Sequence, residues 1–357
     1  MRVYTRIGRA QDPRWHRWLL LSLLIGGSAG CRDGNGLPEG SGLDLVSVSA
    51  GNTHTCGMAA NGFGYCWGDN LLDQLGSKTG TSAPAPELIL LRPLKLESIT
   101  AGGDLTCGTI TSGAVYCWGE TDPTPMRVQG SESLNSLSVG AFACMLNASG
   151  EAMCWDGGGE APKPVQGGQT YSVLQVGYRG CGLTATHETW CWDSPGDAAI
   201  QIGGGILFDS LSVGGGHACG LTSTGQAWCW GNGTSGQLGN FMYGSSSTPQ
   251  QVSTALSFRS IAAGGTHTCA IATTSDAYCW GNNTSGQLGY GGAPTSGLSI
   301  PAKVHGTLQF ATIIGGGSHT CGSLADRTVY CWGKNNNGAV GDGSLTTRTD
   351  PTLVADQ

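Results

Sequence analysis

Seven times along this 357-residue chain two cysteines stand ten positions apart, and each time a tryptophan follows the second. The pairs are Cys56 with Cys66, Cys107 with Cys117, Cys144 with Cys154, Cys181 with Cys191, Cys219 with Cys229, Cys269 with Cys279 and Cys321 with Cys331. Residues 269–281, CAIATTSDAYCWG, show the unit in full. The first cysteines recur at intervals of 51, 37, 37, 38, 50 and 52 residues, too short for a domain each and long enough for one small sheet. A fixed repeat overrides the two or three domains that length alone would allow, so one closed array is expected.

Four strand-like segments surround each pair. In the sixth copy they are residues 260–263 (SIAA), 267–272 (HTCAIA), 277–281 (AYCWG) and 301–304 (PAKV); the second copy has SITA from Ser98, LTCGTI from Leu105, VYCWG from Val115 and PMRV from Pro125. With 62 glycines and only 11% charged residues, the composition is that of an all-β protein with many turns. Four-stranded antiparallel sheets repeated radially make a β-propeller, and a seven-bladed one is expected over residues 44–357.

The hairpin in each copy can be worked out residue by residue. If the two cysteines lie opposite each other, a three-residue loop joins the strands, with Gly62, Gly113, Gly150, His187, Gly225, Ser275 and Arg327 at its third position. A type I turn with a bulge needs a left-handed residue there, which glycine supplies without steric cost. Counting outward, the cysteines fall on a non-hydrogen-bonded pair, where Cα atoms approach to about 4.5 Å and a disulfide can form. One disulfide within each hairpin is therefore expected, and no metal, since zinc ligand pairs usually stand closer together. Side chains alternate along a strand, so the tryptophan and the residue before the second cysteine share the face opposite the sulfur and should fill the gap between blades.

Fourteen cysteines are paired by this spacing and Cys31 is left over. So many pairs argue for an oxidising compartment. Residues 1–30 read as an export signal, with Arg2, Arg6, Arg9, Arg14 and Arg17 ahead of the apolar run 18–25, which is too short for a permanent span. Ser28-Ala29-Gly30-Cys31 resembles a bacterial lipobox, with Ser28 where a leucine is usual, and makes Cys31 the candidate lipidation site. Ordinary cleavage near Ala29, leaving a free thiol, is the alternative. Residues 31–43 then form the lipidated cysteine and a polar, glycine-rich tether. Arg32 after the lipid site favours the outer membrane by resemblance to Gram-negative lipoproteins. Without residues 1–30 the chain keeps 12 basic and 23 acidic side chains, a surface repelled by phosphate backbones, so nucleic acid is not an expected partner.

The sequences AGGTHTC at 263–269, YCWGNNTSGQLG at 278–289 and the P-x-x-V strand resemble the regulator of chromosome condensation repeat family over about residues 44–357. The resemblance implies a seven-bladed propeller and, because members serve very different partners, a protein-binding surface rather than a particular reaction. The chain departs from the intracellular members in its disulfides. It departs also in its loops: the long glycine-rich loop is present at 68–76 (GDNLLDQLG), 231–239, 281–289 and 333–341 (GKNNNGAVG) and absent from copies 2, 3 and 4.

Catalysis needs acids, bases or metal ligands, and the small-residue strands expected at the channel offer nothing more polar than Gln175. His54, His217, His267 and His319 stand two residues before a first cysteine, where copies 2, 3 and 4 have Leu105, Phe142 and Arg179; the histidines are expected to tie a turn to neighbouring backbone. Partner-binding candidates are Phe142, Tyr178 and Arg179 on the trimmed side and Phe241, Met242 and Tyr243 in a long loop, residue types enriched at interfaces. The expectation is a monomeric, cofactor-free, non-catalytic propeller that binds another protein and is anchored to a bilayer, facing periplasm or cell exterior; an exported hydrolase or lyase is the alternative. Residues 351–354, PTLV, either complete the seventh copy or cross to the first.

Overall fold

The computed structural model describes residues 42–77, 80–91, 94–120, 122–132, 135–157, 160–203 and 205–357. The export signal, Cys31 and nearly all of the tether lie outside the described residues. Within them the chain forms seven sheets, each of four strands consecutive in sequence and in space, every neighbouring pair antiparallel. Seven blades of a propeller result.

The innermost strands are Leu45–Ala50, Leu96–Ala101, Asn135–Val139, Val173–Val176, Ser210–Val213, Phe258–Ala263 and Phe310–Gly315. They contain the small-residue runs of the sequence, and they pack one against the next around the axis, the last touching the first. Small side chains are required there because inner strands converge. The outermost strands vary most, from nine residues in blade 6 to two in blades 3 and 4.

In every blade the two cysteines are direct partners in the central hairpin. The bonds run from Cys56 to Cys66, Cys107 to Cys117, Cys144 to Cys154, Cys181 to Cys191, Cys219 to Cys229, Cys269 to Cys279 and Cys321 to Cys331. Their Cα atoms stand 4.0–4.1 Å apart, somewhat closer than the spacing of about 4.5 Å expected for a non-hydrogen-bonded pair. All fourteen are 0–2% exposed, Cys117 and Cys154 fully buried among them, so they belong to the core and offer no surface to a partner. The third loop residue is left-handed in all seven hairpins. Its φ lies at 76–83° for the four glycines and at 65°, 69° and 74° for His187, Ser275 and Arg327.

The core lies between blades, where the disulfide of one blade faces the tryptophan of the next. Cys56 and Cys66 pack with Trp118, Cys107 and Cys117 with Trp155, and Cys144 and Cys154 with Trp192. Cys181 and Cys191 pack with Trp230, Cys219 and Cys229 with Trp280, and Cys269 and Cys279 with Trp332. The seven tryptophans after the second cysteines are between 0% and 3% exposed. Burying so large a ring removes some 150–250 Å² from water, worth about 4–6 kcal/mol as an upper bound. No disulfide links two blades among the described residues, so packing of this kind holds the ring together.

The C-terminal segment completes its own blade. Leu353 pairs with Tyr330 and Thr352 with Cys331, and blade 1 is likewise built from one continuous stretch. The ring therefore closes without strand exchange, through contacts such as Arg327 with Asp44 (3.1 Å) on one face and Gly317 N–H to the Gly51 carbonyl (3.1 Å) at the axis.

Candidate protein-binding face

Because the strands of a blade alternate in direction, the turn between the first and second strands and the loop between the third and fourth emerge on one face. The disulfide hairpin turns and the connectors between blades emerge on the other. The first face carries both groups of candidate contact residues.

At the axis of that face the seven inner turns form a shallow recess of about 290 Å³, lined by glycine, alanine and valine apart from Asn52 and Tyr178. A circle of backbone hydrogen bonds runs round it, each blade donating to the next: Asn52 to Gly103, Gly103 to Gly140, Ala141 to Gly177, Tyr178 to Gly214, Gly215 to Gly264, Gly265 to Gly316, and Gly317 to Gly51. A Cβ added at Gly140, Gly177 or Gly214 would stand 2.1–2.3 Å from a carbonyl oxygen of the following blade. Glycine is required there for close approach, its φ being ordinary.

Outside the circle a second set of contacts separates the blades into two kinds. His54, His217, His267 and His319 are 0–1% exposed, and each Nε2 bonds the threonine of the next blade: Thr106 at 2.8 Å, Thr268 at 2.7 Å, Thr320 at 2.9 Å and Thr55 at 2.9 Å. The threonine hydroxyl in turn donates to a carbonyl in the long loop of the blade before it, at Gln74, Gln237, Gln287 and Ala339. The same carbonyl accepts from the tryptophan Nε1 beneath, Trp118, Trp280, Trp332 and Trp67, at 2.9–3.1 Å. Since the hydroxyl proton is committed to the carbonyl, Nε2 carries the imidazole proton. Burial pulls the histidines down to about 3 (His54 and His267) and about 4 (His217 and His319), so they are neutral at ordinary pH. The histidines were expected to hold backbone; they hold a side chain of the adjacent blade instead, and act as interblade clasps.

The threonine was missed in the sequence although its signal was present. The residue before the first cysteine is threonine in blades 1, 2, 6 and 7, which follow a long loop, and Ala143, Gly180 and Ala218 in blades 3, 4 and 5, which follow a trimmed blade. In those three blades the indole Nε1 of Trp155, Trp192 and Trp230 is buried with no hydrogen-bond partner among the described residues.

Phe142 is a correction. Expected at the surface, it is 3% exposed and packs with Cys144, Leu146, Tyr171 and Trp192. Its position, two before a first cysteine, points beneath the turn, and Leu105 and the four histidines are buried there too. Arg179 occupies the same position but is long enough to bring its guanidinium out to Asp193, Nε to Oδ1 3.0 Å, while lying 5.4 Å from the centre of the Tyr178 ring. Tyr178 is 39% exposed. Phe241, Met242 and Tyr243 are 68%, 66% and 58% exposed in a loop that Phe241 N–H ties to the Ser299 carbonyl of blade 6. The trimmed-side pair and the long-loop triplet thus fall on adjacent blades, 4 and 5, of a single face.

Among the described residues no group of three or more His, Cys, Asp or Glu could hold a metal ion. Asp104, near the recess, is held above the usual carboxylate range by burial, with a hydrogen bond from Asn52 opposing and Asp69 adding to the effect.

Two family models described as the Regulator of chromosome condensation (RCC1) repeat match this chain, one at residues 224–271 and 276–322, the other at 208–237, 258–287 and 315–339. RCC1 repeats are thus matched within residues 208–339. The matched stretches fall in blades 5 to 7. Over 77 residues this chain is 36% identical to the probable E3 ubiquitin-protein ligase HERC3 of Homo sapiens, a stretch covering 21% of this chain and 7% of the ligase. Similar solved structures include yeast RCC1 (Prp20) bound to Kap60, with TM-score 0.53 and 19% identity over 88% of this chain and 75% of that one. The CRINKLY WD40 ectodomain of the Arabidopsis thaliana receptor kinase ACR4 gives 0.56 and 19% over 88% and 100%. PorZ, a surface component of the type-IX secretion system of Porphyromonas gingivalis, gives 0.53 and 13% over 88% and 38%. At these identities the likeness establishes the propeller fold.

Proposed function

We propose that this RCC1-repeat propeller is a non-catalytic protein-binding module, exported and held at a bacterial envelope by lipid on Cys31. The observation that carries the binding role is the apolar and aromatic surface on the loop-bearing face. Leu71, Phe241, Met242, Tyr243 and Leu345 are each more than half exposed there, with Tyr178 and Arg179 on the neighbouring blade. Exposed aromatic, methionine and arginine side chains gathered on one face are the composition of a partner-binding surface. The axial recess supports a non-catalytic role, since its lining supplies no acid or base. Seven disulfides fit an oxidising, exported setting. No helix of the described residues is long and apolar enough to cross a membrane.

Two variants test the face: Tyr178→Ala with Arg179→Ala, and Phe241→Ala with Met242→Ala and Tyr243→Ala. Each should abolish capture of partners from native envelope extract while melting as the unmodified protein does; capture retained by both removes this surface from the reading. Cys31→Ala should release the protein from membranes and end fatty-acid labelling, and labelling that persists would refute the anchor.

A further inference from the structure

Three of the four long loops carry a glutamine at the residue whose carbonyl accepts from the threonine and the indole: Gln74, Gln237 and Gln287. Each is at most 1% exposed and turns its side chain back into its own loop, where Oε1 accepts from the N–H two residues earlier, that of Leu72 (2.9 Å), Ser235 (2.9 Å) or Ser285 (3.0 Å). The Nε2 of Gln74 and of Gln237 is buried with no partner among the described residues. In these two loops the glutamine site offers a donor to the oxygen and nothing to the nitrogen.

The fourth long loop, in blade 7, has Ala339 at that place. Its backbone follows the others: Gly338 N–H donates to the Asn335 carbonyl and Val340 N–H to Asn335 Oδ1, both at 2.9 Å, as Gly286 N–H donates to the Asn283 carbonyl and Leu288 N–H to Asn283 Oδ1, both at 3.0 Å. The N–H equivalent to those of Leu72, Ser235 and Ser285 belongs to Asn337, and it has no hydrogen-bond partner among the described residues. Beside Asn337 and Ala339, at the seam of blades 7 and 1, opens a pocket of about 170 Å³, lined also by Thr53, Ser318, Lys334 and Asn336. Lys334 is a second departure of this loop, since the others have Asp69, Asn232 and Asn282 at its position. Its ammonium makes no ion pair among the described residues. Asp69 brings an opposing charge near the rim, where its Oδ2 accepts from the Thr53 hydroxyl (3.2 Å).

We infer that the pocket at the seam of blades 7 and 1 binds a carboxylate, which accepts from the Asn337 N–H as the glutamine oxygen does in the other three loops and takes Lys334 as its counter-ion. A carboxylate has the shape of the glutamine amide with an acceptor at both ends, so it needs no partner of the kind that Gln74 and Gln237 lack. Its bonds to an N–H and an ammonium are charge-assisted, the stronger class of hydrogen bond. At this size the pocket holds one functional group rather than a whole drug-sized ligand. That group is the glutamate side chain of a polypeptide or a small free carboxylate. The inference goes beyond the protein-binding reading and does not depend on it.

The probe is N-acetylglutamate N-methylamide, titrated into the oxidised, folded protein while the backbone N–H resonances are recorded. The Asn337 signal should move and saturate. The corresponding glutamine compound should bind about tenfold more weakly, and Lys334→Ala should weaken binding of the glutamate compound at least about threefold. Asp69→Asn, which removes the opposing charge, should tighten it. Ala339→Gln restores the residue of the other three loops and should abolish binding without lowering the melting temperature. An Asn337 signal that stays still at about 100 mM probe overturns the inference, as does movement undiminished in Ala339→Gln or a glutamine compound that binds as tightly as the glutamate one. Where the probe binds, envelope capture lost in Ala339→Gln identifies the source as a glutamate of a protein partner, and capture that persists identifies it as a free small carboxylate. Capture that fails even with the unmodified protein would remove the protein-binding reading and leave the carboxylate pocket standing.

Discussion

At the scale of single residues, the histidine, threonine and tryptophan that meet a loop carbonyl form a small, fully buried polar network. Thr106 is its hinge, accepting from His54 and donating to Gln74. In Thr106→Ala the His54 Nε2 proton loses its acceptor, and a buried unpaired donor costs about 1–3 kcal/mol. Chemical denaturation should show that loss, whereas adding His54→Leu, the residue type at Leu105 in blade 2, should restore part of it; a double variant as unstable as the sum of the singles would refute the coupling. The histidines also set a pH dependence. Their folded-state values, about 3 to 4, lie below the unfolded value near 6.5, so the unfolded chain takes up protons first. The stability they support is complete above about pH 6.5 and is lost as pH falls toward 4, at up to about 1.4 kcal/mol per pH unit for each histidine. Denaturation midpoints measured from pH 7 to pH 4.5 should decline, and His54→Leu should flatten the slope; a slope unchanged in that variant would exclude His54 as a source.

At the scale of the element, the disulfide hairpin is the part most fully legible in the sequence. Ten-residue spacing placed the cysteines opposite each other and required a left-handed third loop residue, and the backbone adopts that conformation even where the residue is His187, Ser275 or Arg327. His187 and Arg327 gain contacts there, to the Phe208 carbonyl and to Asp44. Ser275→Gly therefore isolates the backbone term and should raise stability by about 0.5–1 kcal/mol, the left-handed cost less the added flexibility of glycine; a loss of stability would mean that the Ser275 side chain holds the turn. Phe142 is of a residue type enriched at interfaces and stands just before a first cysteine, but neither residue type nor turn position says whether the turn folds over the side chain, and here it does.

At the scale of the whole molecule, closure is a property of the circle of inner turns. No strand is exchanged between the ends of the chain, so the seam between blades 7 and 1 is held as the seams behind the other long loops are, by the backbone circle and a histidine–threonine clasp. Gly214→Ala would put a methyl group 2.1 Å from the Gly264 carbonyl, forcing two inner strands apart at an overpacking cost of about 1–3 kcal/mol. Tryptophan fluorescence and far-ultraviolet circular dichroism should show one shared transition at a lower midpoint. Separate transitions for the two probes would mean that the blades unfold independently.

The sequence by itself determined the blade count, the disulfide pairing, the inner strands and the uneven distribution of long loops. Each depends on spacing or alternation within one repeat, where residues in contact are near in the chain. Tertiary structure decided what lies between repeats. It made the histidines clasps, buried Phe142, kept the last strand in its own blade, and placed Tyr178 and Arg179 on the same face as the Phe241 loop. It also left the Nε1 of Trp155, Trp192 and Trp230 buried without a partner among the described residues. Contacts between blades join residues some 30 to 280 positions apart, and no local pattern specifies which turn, loop or side chain will meet there.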